Sequence, residues 1–179
     1  MGAERSGHAE GSDRAEGSGH VEGSDRAIAA VAAAGIAHTV TRIGPVRSLE
    51  EAAAARGIEP RDIVKTLVVR RGDDDFLFVL VPGDREISWP KLRELLGVKR
   101  LSMPDARTAK EATGYERGTI TPFGSSRAWP VVADETVAGR AISLGGGAHG
   151  VALTVDGSDV IQALGAQVAD VTDLRASGS

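Results

Sequence analysis

Two apolar runs constrain this chain most. Residues 62–70 read Asp-Ile-Val-Lys-Thr-Leu-Val-Val-Arg, and residues 76–82 read Phe-Leu-Phe-Val-Leu-Val-Pro. Both are rich in β-branched and aromatic side chains, and the turn-forming stretch Gly72-Asp73-Asp74-Asp75 lies between them. That pattern predicts an antiparallel hairpin. Each run is apolar on both faces, so the hairpin is expected deep in its sheet rather than at a solvated rim. Lys65 interrupts the first run. On a period of two it shares a face with Ile63, Leu67 and Val69. An ammonium group in such company either extends along its stem to water or serves as a cation aimed into a pocket. Spacing alone leaves both readings open.

Around the hairpin, the chain alternates helix and strand signals. Residues 1–23 are of low complexity: Glu10-Gly11-Ser12-Asp13-Arg14-Ala15 recurs as Glu22-Gly23-Ser24-Asp25-Arg26-Ala27, and a disordered tail is expected there. Ser24 or Asp25 is placed to cap a helix over residues 27–34 that Gly35 stops. Residues 36–42 read as a strand. Ser48 and Glu51 form a capping box opening an alanine-rich helix that Gly57 ends. Ser88, with Pro90 in the first turn, opens another helix closed by Gly97. A short strand over 98–103 and a helix over 104–113 closed by Gly114 follow. Strands are expected at 131–134, 141–144, 151–155 and 167–171, with Ser158 capping a helix over 159–164. The hairpins imply a mixed α/β sheet and exclude a doubly wound parallel one. The folded domain is expected over residues 24–173, with 174–179 a short flexible end.

Composition narrows the chemistry. At 179 residues, with 41% hydrophobic and 26% charged side chains, the chain has the make-up of one globular domain. No apolar run reaches the length of a membrane span and no signal-peptide core opens the sequence. Without cysteine there is no thiol nucleophile, no disulfide and no thiolate zinc site, which suits a cytoplasmic protein. Four scattered histidines, two of them (His8 and His20) in the tail, do not spell a metal site, and neither metal nor cofactor is expected. The net charge is −4, but residues 61–140 carry 14 Lys/Arg against 12 Asp/Glu. That mild central excess suits contact with a few phosphates rather than a long DNA footprint.

Two further loops could carry chemistry. In Gly118-Thr119-Ile120-Thr121-Pro122 the glycine allows close approach and the proline fixes the backbone, so N–H and C=O groups point in set directions. An oxyanion or a hydrolytic water requires that, although an ordinary turn has the same composition. The second loop is Gly145-Gly146-Gly147-Ala148-His149-Gly150. It lacks the helix junction and Lys-Ser/Thr pair of a phosphate-binding loop, and reads as a glycine wall beside a ligand or as a flexible hairpin turn. His149 is a base or simply an exposed histidine. No Gly-x-Ser-x-Gly elbow or catalytic triad is present.

Taken in order, these places resemble one family. Lys65-Thr66-Leu67, Val81-Pro82-Gly83-Asp84, Gly114-Tyr115-Glu116, Gly118 through Gly124, Asp134-Glu135, Gly146 through Gly150 and Ala169-Asp170-Val171 resemble the YbaK/prolyl-tRNA-synthetase-associated domain family. The likeness runs over roughly residues 25–172. It implies a curled, largely antiparallel mixed sheet forming a barrel-like core with helices outside. It also implies a freestanding editing hydrolase that deacylates mischarged aminoacyl-tRNA, such as a proline tRNA carrying a wrong small amino acid. The substrate would be held by its 3′ acceptor end, with an aminoacyl-tRNA synthetase as a possible partner. The family's lysine falls on Lys65 and its Gly-x-x-x-Pro motif on Gly118 to Pro122. The resemblance thus makes Lys65 and Gly118 catalytic, and Thr119, Ile120, Thr121, Pro122, Phe123, Gly145, Gly146, Gly147 and His149 substrate-binding. Phe123, Tyr115 and Trp129 are the nearby candidates for stacking a terminal base. Ser125-Ser126-Arg127 and Ala152 depart from the family's cysteinyl-tRNA deacylases and leave the amino acid open. The competing readings are a catalytically silent tRNA- or synthetase-binding module and a small protein binding a phosphate-bearing ligand.

Overall fold

The computed structural model describes residues 18–176, so the first copy of the repeat lies outside the described residues. Helix α1 spans Ser18–Ala33. It starts ahead of the expected caps: Ser24 is buried within it, and only Gly35, with φ of 72°, stops the chain as expected. Strand β1 is Thr39–Arg42, and α2 is Leu49–Arg56. The Ser48 hydroxyl accepts from Glu51 N–H at 3.0 Å, while the Glu51 carboxylate reaches back to Arg47 N–H rather than to that of the cap itself. Helix α3, Trp89–Leu96, is capped by Ser88 as its sequence predicts, and α4, Ala106–Thr113, is capped by Asp105. Helix α5, Gly157–Leu164, is capped by Asp156 rather than Ser158, whose hydroxyl instead accepts from Gly139 N–H at 2.8 Å. No described helix is long and apolar enough to cross a membrane.

The predicted hairpin is present as β2, Val64–Gly72, and β3, Asp75–Pro82, with Lys65 opposite Val81 and Val68 opposite Phe78. Within the hairpin, β3 is buried along both faces, whereas β2 is buried only at Val64, Val68 and Val69. Phe76, Phe78 and Leu80 face one core with Val64, Val68, Ile142, Leu144 and Leu153. Leu77, Val79 and Val81 face a second with Val69, Leu92, Val132 and Val171. Each such side chain contributes about 2 kcal/mol of hydrophobic stabilisation. β3 pairs in parallel with β5, Val131–Asp134, which pairs in parallel with β8, Gln167–Ala169. β2 is therefore the outer strand of this sheet, contrary to the expectation that the whole hairpin would be deep.

A second sheet orders β1, then β7 (Val151–Asp156), then β6 (Ala141–Gly145), all antiparallel. A third pairs β4, Arg85–Ile87, with β9, Thr172–Leu174. The strand expected over 167–171 is thus divided at Asp170 and Val171 between two sheets. Residues 98–103 form no strand: only Ser102 pairs, in a two-way backbone bridge with Arg70. The fold is a mixed α/β one with mostly antiparallel pairs, and the described strands make three sheets with no closed barrel.

Asp134 ties these sheets together. Fully buried at the end of β5, its carboxylate accepts from Val171 N–H at 3.1 Å and Thr136 N–H at 3.1 Å, and Arg85 Nε lies 3.8 Å away. Burial alone would raise its pKa, but hydrogen bonds from Thr136, Val171 and Thr172 together outweigh that and hold it below the ordinary value. A carboxyl depressed in the folded state stabilises above its unfolded pKa of about 3.9, and the benefit disappears as pH falls through the folded value. Asp134→Asn should therefore cost about 3 kcal/mol near neutral pH. Urea unfolding should show that gap between wild type and variant narrowing as pH is lowered through the carboxylate range.

Candidate functional site

The outer edge of β2 is fastened at two points and open between them. Ile63, just before the strand, bridges to Ser143 of β6, and Arg70 exchanges backbone hydrogen bonds of 2.7 and 3.1 Å with Ser102. In an antiparallel strand both backbone groups of a residue point to one side, and the sides alternate. Because Arg70 points outward, Thr66 and Val68 do so too, while Lys65, Leu67 and Val69 bond inward to β3. Phe78, opposite Val68, accordingly sends its N–H away to Pro130 C=O at 2.8 Å. Among the described residues no partner covers the backbone of Thr66 or Val68.

A cleft of about 410 Å³ fills that opening, a size suited to a small ligand. Its walls are residues 63–68 of the strand edge, Met103 and Pro104 opposite, and Arg56, Arg117, Gly118, Ile120 and Gly145 around them. Lys65, Gly118, Ile120 and Gly145, singled out from sequence, thus meet at one place. Lys65 is half-buried and its ammonium has no hydrogen bond or ion pair among the described residues. Burial, and then the like charge of Arg175, hold its pKa below the ordinary lysine value. Lys65 is thus one of the residues that line the cleft.

Two lining arginines went unnoticed in the sequence, and Thr66 entered only as part of the Lys65-Thr66-Leu67 motif. Arg56, at the end of α2, is half-buried, with its pKa lowered by burial, and its Nη1 donates to Ser143 Oγ at 2.9 Å. Arg117 stands next to Gly118, and Thr66 next to Lys65. The adjacency of Arg117 to a recognised motif position was the available signal; nothing in the sequence placed Arg56 nearby. Arg56 Nε and Thr66 Oγ1 are buried without a hydrogen-bond partner. Among the described residues the lining holds three cations and no carboxylate. It also holds no histidine, serine or cysteine, and Thr66 is its only hydroxyl.

The Gly118 loop is rigidly held. Gly118 adopts φ of 90°, and Glu116 C=O accepts from both Thr119 N–H at 2.9 Å and Thr119 Oγ1 at 2.7 Å. Thr119, Thr121, Pro122 and Phe123 are buried behind the cleft and do not line it. Gly147 N–H donates to Thr119 C=O at 3.2 Å, joining the two glycine loops. His149 is exposed, 3.6 Å from the Glu116 carboxylate, and its Cε1 would lie 3.6 Å from a Cβ on Gly118. Of the three successive glycines only Gly145 faces the cleft. A Cβ on Gly146 would strike Val151, and one on Gly147 would come within 2.4 Å of Gly23 C=O in α1.

Helix α1 buttresses these loops from behind. Arg26 lies 4.8 Å over the Tyr115 ring and donates to Gly114 C=O at 2.9 Å. Tyr115 is buried and its hydroxyl donates to Phe123 C=O at 2.6 Å, so burial pushes its pKa up against the opposing effect of Arg26. Trp129 packs edge-on to Phe76 with ring centroids 5.3 Å apart. Phe123 and Tyr115 are thus buried, Trp129 is half-buried against the core with Arg127 4.2 Å over its ring, and none of the three lines the cleft.

Residues 44–163, which include this whole cleft, match the aminoacyl-tRNA editing domain. The chain belongs to that family. It is 39% identical over 89 residues to a proline–tRNA ligase of Thermosipho africanus, an alignment covering 50% of this chain and 16% of the ligase. The chain therefore corresponds to a small part of the ligases it matches. It is 29% identical over 126 residues to the "Putative Cys-tRNA(Pro)/Cys-tRNA(Cys) deacylase EbsC" of Enterococcus faecalis, covering 70% of this chain and 77% of that one. A solved structure described as "a putative trans-editing enzyme for prolyl tRNA synthetase" superposes with a TM-score of 0.78 at 27% identity, over 84% of this chain and 97% of that one. The family resemblance carried by the ordered sequence motifs is thereby borne out.

The glycines of this editing domain divide by what they touch. Gly147→Ala should lower stability by about 3 kcal/mol, because backbone must move to admit the methyl group and its own φ of 85° is left-handed as well. Gly118→Ala meets only ordinary contact and should cost about 1 kcal/mol for its left-handed φ. Thermal unfolding of the two variants should rank them in that order.

Proposed function

We propose that this chain is an editing hydrolase that cleaves the ester of a mischarged aminoacyl-tRNA, a proline tRNA bearing a small non-cognate amino acid. The observation that carries the reading is the convergence of Lys65, the Gly118 turn and Gly145 on one cationic cleft that offers no side-chain base and no nucleophile beyond the buried Thr66 hydroxyl. An aminoacyl ester is already activated, so holding it and stabilising the charge of attack is sufficient catalysis. Lys65 and Arg117 take the phosphate nearest the ester, and the fixed backbone around Gly118 orients the attacking water or the neighbouring 2′-hydroxyl. Attack forms a bond to the ester carbonyl carbon, and negative charge develops on its oxygen inside a positive field. Water is the attacking group, and collapse breaks the bond to the ribose oxygen. That oxygen takes up the proton the water gives up, directly or through the neighbouring 2′-hydroxyl, and leaves as a free hydroxyl of the 3′ end while the amino acid leaves as its carboxylate. The limited cleft excludes larger amino acids, because a single methylene is worth only about 1–3 kcal/mol by binding alone.

The resemblance to the trans-editing structure supports action on tRNA released from a synthetase, in the cytoplasm. Thr119, Ile120, Thr121, Pro122, Phe123, Gly146, Gly147 and His149 serve substrate binding chiefly by fixing the shape of the Gly118 loop. On this reading Lys65→Ala lowers kcat/KM at least about tenfold on every accepted substrate. Proline tRNA charged in turn with alanine, serine, cysteine and threonine gives the test panel. Deacylation at wild-type rate by Lys65→Ala removes the proposed role of the lysine. Absence of hydrolysis of any charged tRNA by the wild-type chain removes the reading itself.

A further inference from the structure

A second depression lies beyond the Arg70–Ser102 bridge, at the other end of the open stretch of β2. It is an open groove of about 690 Å³ lined by Arg70, Arg71, Arg93, Lys99 and Arg100, with Asp73 the sole carboxylate in its lining. Arg70 is paired with Asp73 at 2.8 Å and Arg71 with Asp75 at 3.1 Å. Arg93, Lys99 and Arg100 have no carboxylate partner among the described residues. A surface concentrating three such cations is costly by self-repulsion and attracts a polyanion.

The same two chain segments line both the groove and the cleft. β2 contributes residues 64–68 to the cleft and Arg70 through Gly72 to the groove. The segment after α3 contributes Leu101 and Ser102 to the groove, and Met103 and Pro104 to the cleft. Along β2 the six residue steps from Lys65 to Arg71 span about 20 Å. That is room for several phosphates of a nucleic-acid strand.

We infer that this groove binds the phosphodiester backbone of the RNA whose 3′ end occupies the cleft. The cleft then reads the aminoacyl terminus, while Arg93, Lys99 and Arg100 grip the chain upstream of it by charge, without base readout. The coupling to hydrolysis rests on the deacylase reading. The affinity of the groove for RNA does not.

The triple variant Arg93→Gln, Lys99→Gln, Arg100→Gln alters three side chains outside both cores and is first checked for unchanged thermal unfolding. Its kcat/KM should fall at least about tenfold on mischarged tRNA, and the slope of log kcat/KM against log salt should shrink by about two. On the same amino acid esterified to adenosine alone, the triple variant should match wild type. Equal losses on both substrates, or no loss on tRNA, overturn the inference. Fluorescence anisotropy with uncharged tRNA separates it from the deacylase reading. If no ester is cleaved, the variant should still bind tRNA at least about tenfold more weakly than wild type, and equal binding sinks the groove assignment. Poly-glutamate competing with tRNA as effectively as RNA of equal charge assigns the groove to an acidic protein instead.

Discussion

A strand buried on both faces and paired on both edges, as β3 is, leaves its partner to form the outer edge of the sheet. β2 occupies that position, and its backbone groups on the outer side must find partners or water. The fold fastens it at Ile63 and at Arg70 and, among the described residues, leaves Thr66 and Val68 uncovered. The cleft follows from that arrangement. Helix α2 contributes Arg56 to its lining, the segment after α3 contributes Met103 and Pro104, and the Gly118 loop contributes Arg117, Gly118 and Ile120. An open backbone edge within a recess is a preformed recognition surface, because its donors and acceptors are fixed before any ligand arrives.

The hairpin was legible because β-branched runs flanking a turn have few alternatives, and the capped helices because Ser48, Ser88 and the stopping glycines act locally. What failed depended on tertiary contacts. Residues 98–103 have strand composition, but Leu101 packs against the second core and Ser102 alone reaches an edge already narrowed by the cleft. Helix α1 extends into the repeat, whose glycines argued against order. There Gly23 is useful because it lets the helix approach Gly147. At the site, Lys65 and Gly118 were visible as motif positions, whereas Arg56 belongs to a distant helix and had no local sign of its role. The aromatic residues misled in one respect: Tyr115 and Phe123 lie near the loops in sequence, yet the tyrosine hydroxyl satisfies the Phe123 carbonyl inside the core.

The two glycine loops share one structural logic although they face different partners. Gly147 brings its N–H to Thr119 and its Cα against α1, so the second loop braces the first. Arg26 holds Gly114 and covers Tyr115 from the same helix. The rigidity of Gly118 therefore originates some distance from the cleft, in packing that only glycine at position 147 permits. A fixed turn of this kind orients a water or hydroxyl without reorganising during the reaction, and that preorganisation is where most electrostatic catalysis is found.

On the deacylase reading, the lack of carboxylates among the described residues of the cleft lining has a consequence for how an aminoacyl ester would sit. Such a substrate brings an α-ammonium group, which the charges of Arg56, Lys65 and Arg117 repel. Its seat must be a neutral acceptor, and the outward carbonyls of Thr66 and Val68 are the fixed ones along the open edge. The same field that repels the ammonium stabilises the negative charge that develops on the carbonyl oxygen during attack. On the deacylase reading, a single arrangement of cations thus disfavours the wrong orientation of the ester and lowers the barrier for the right one.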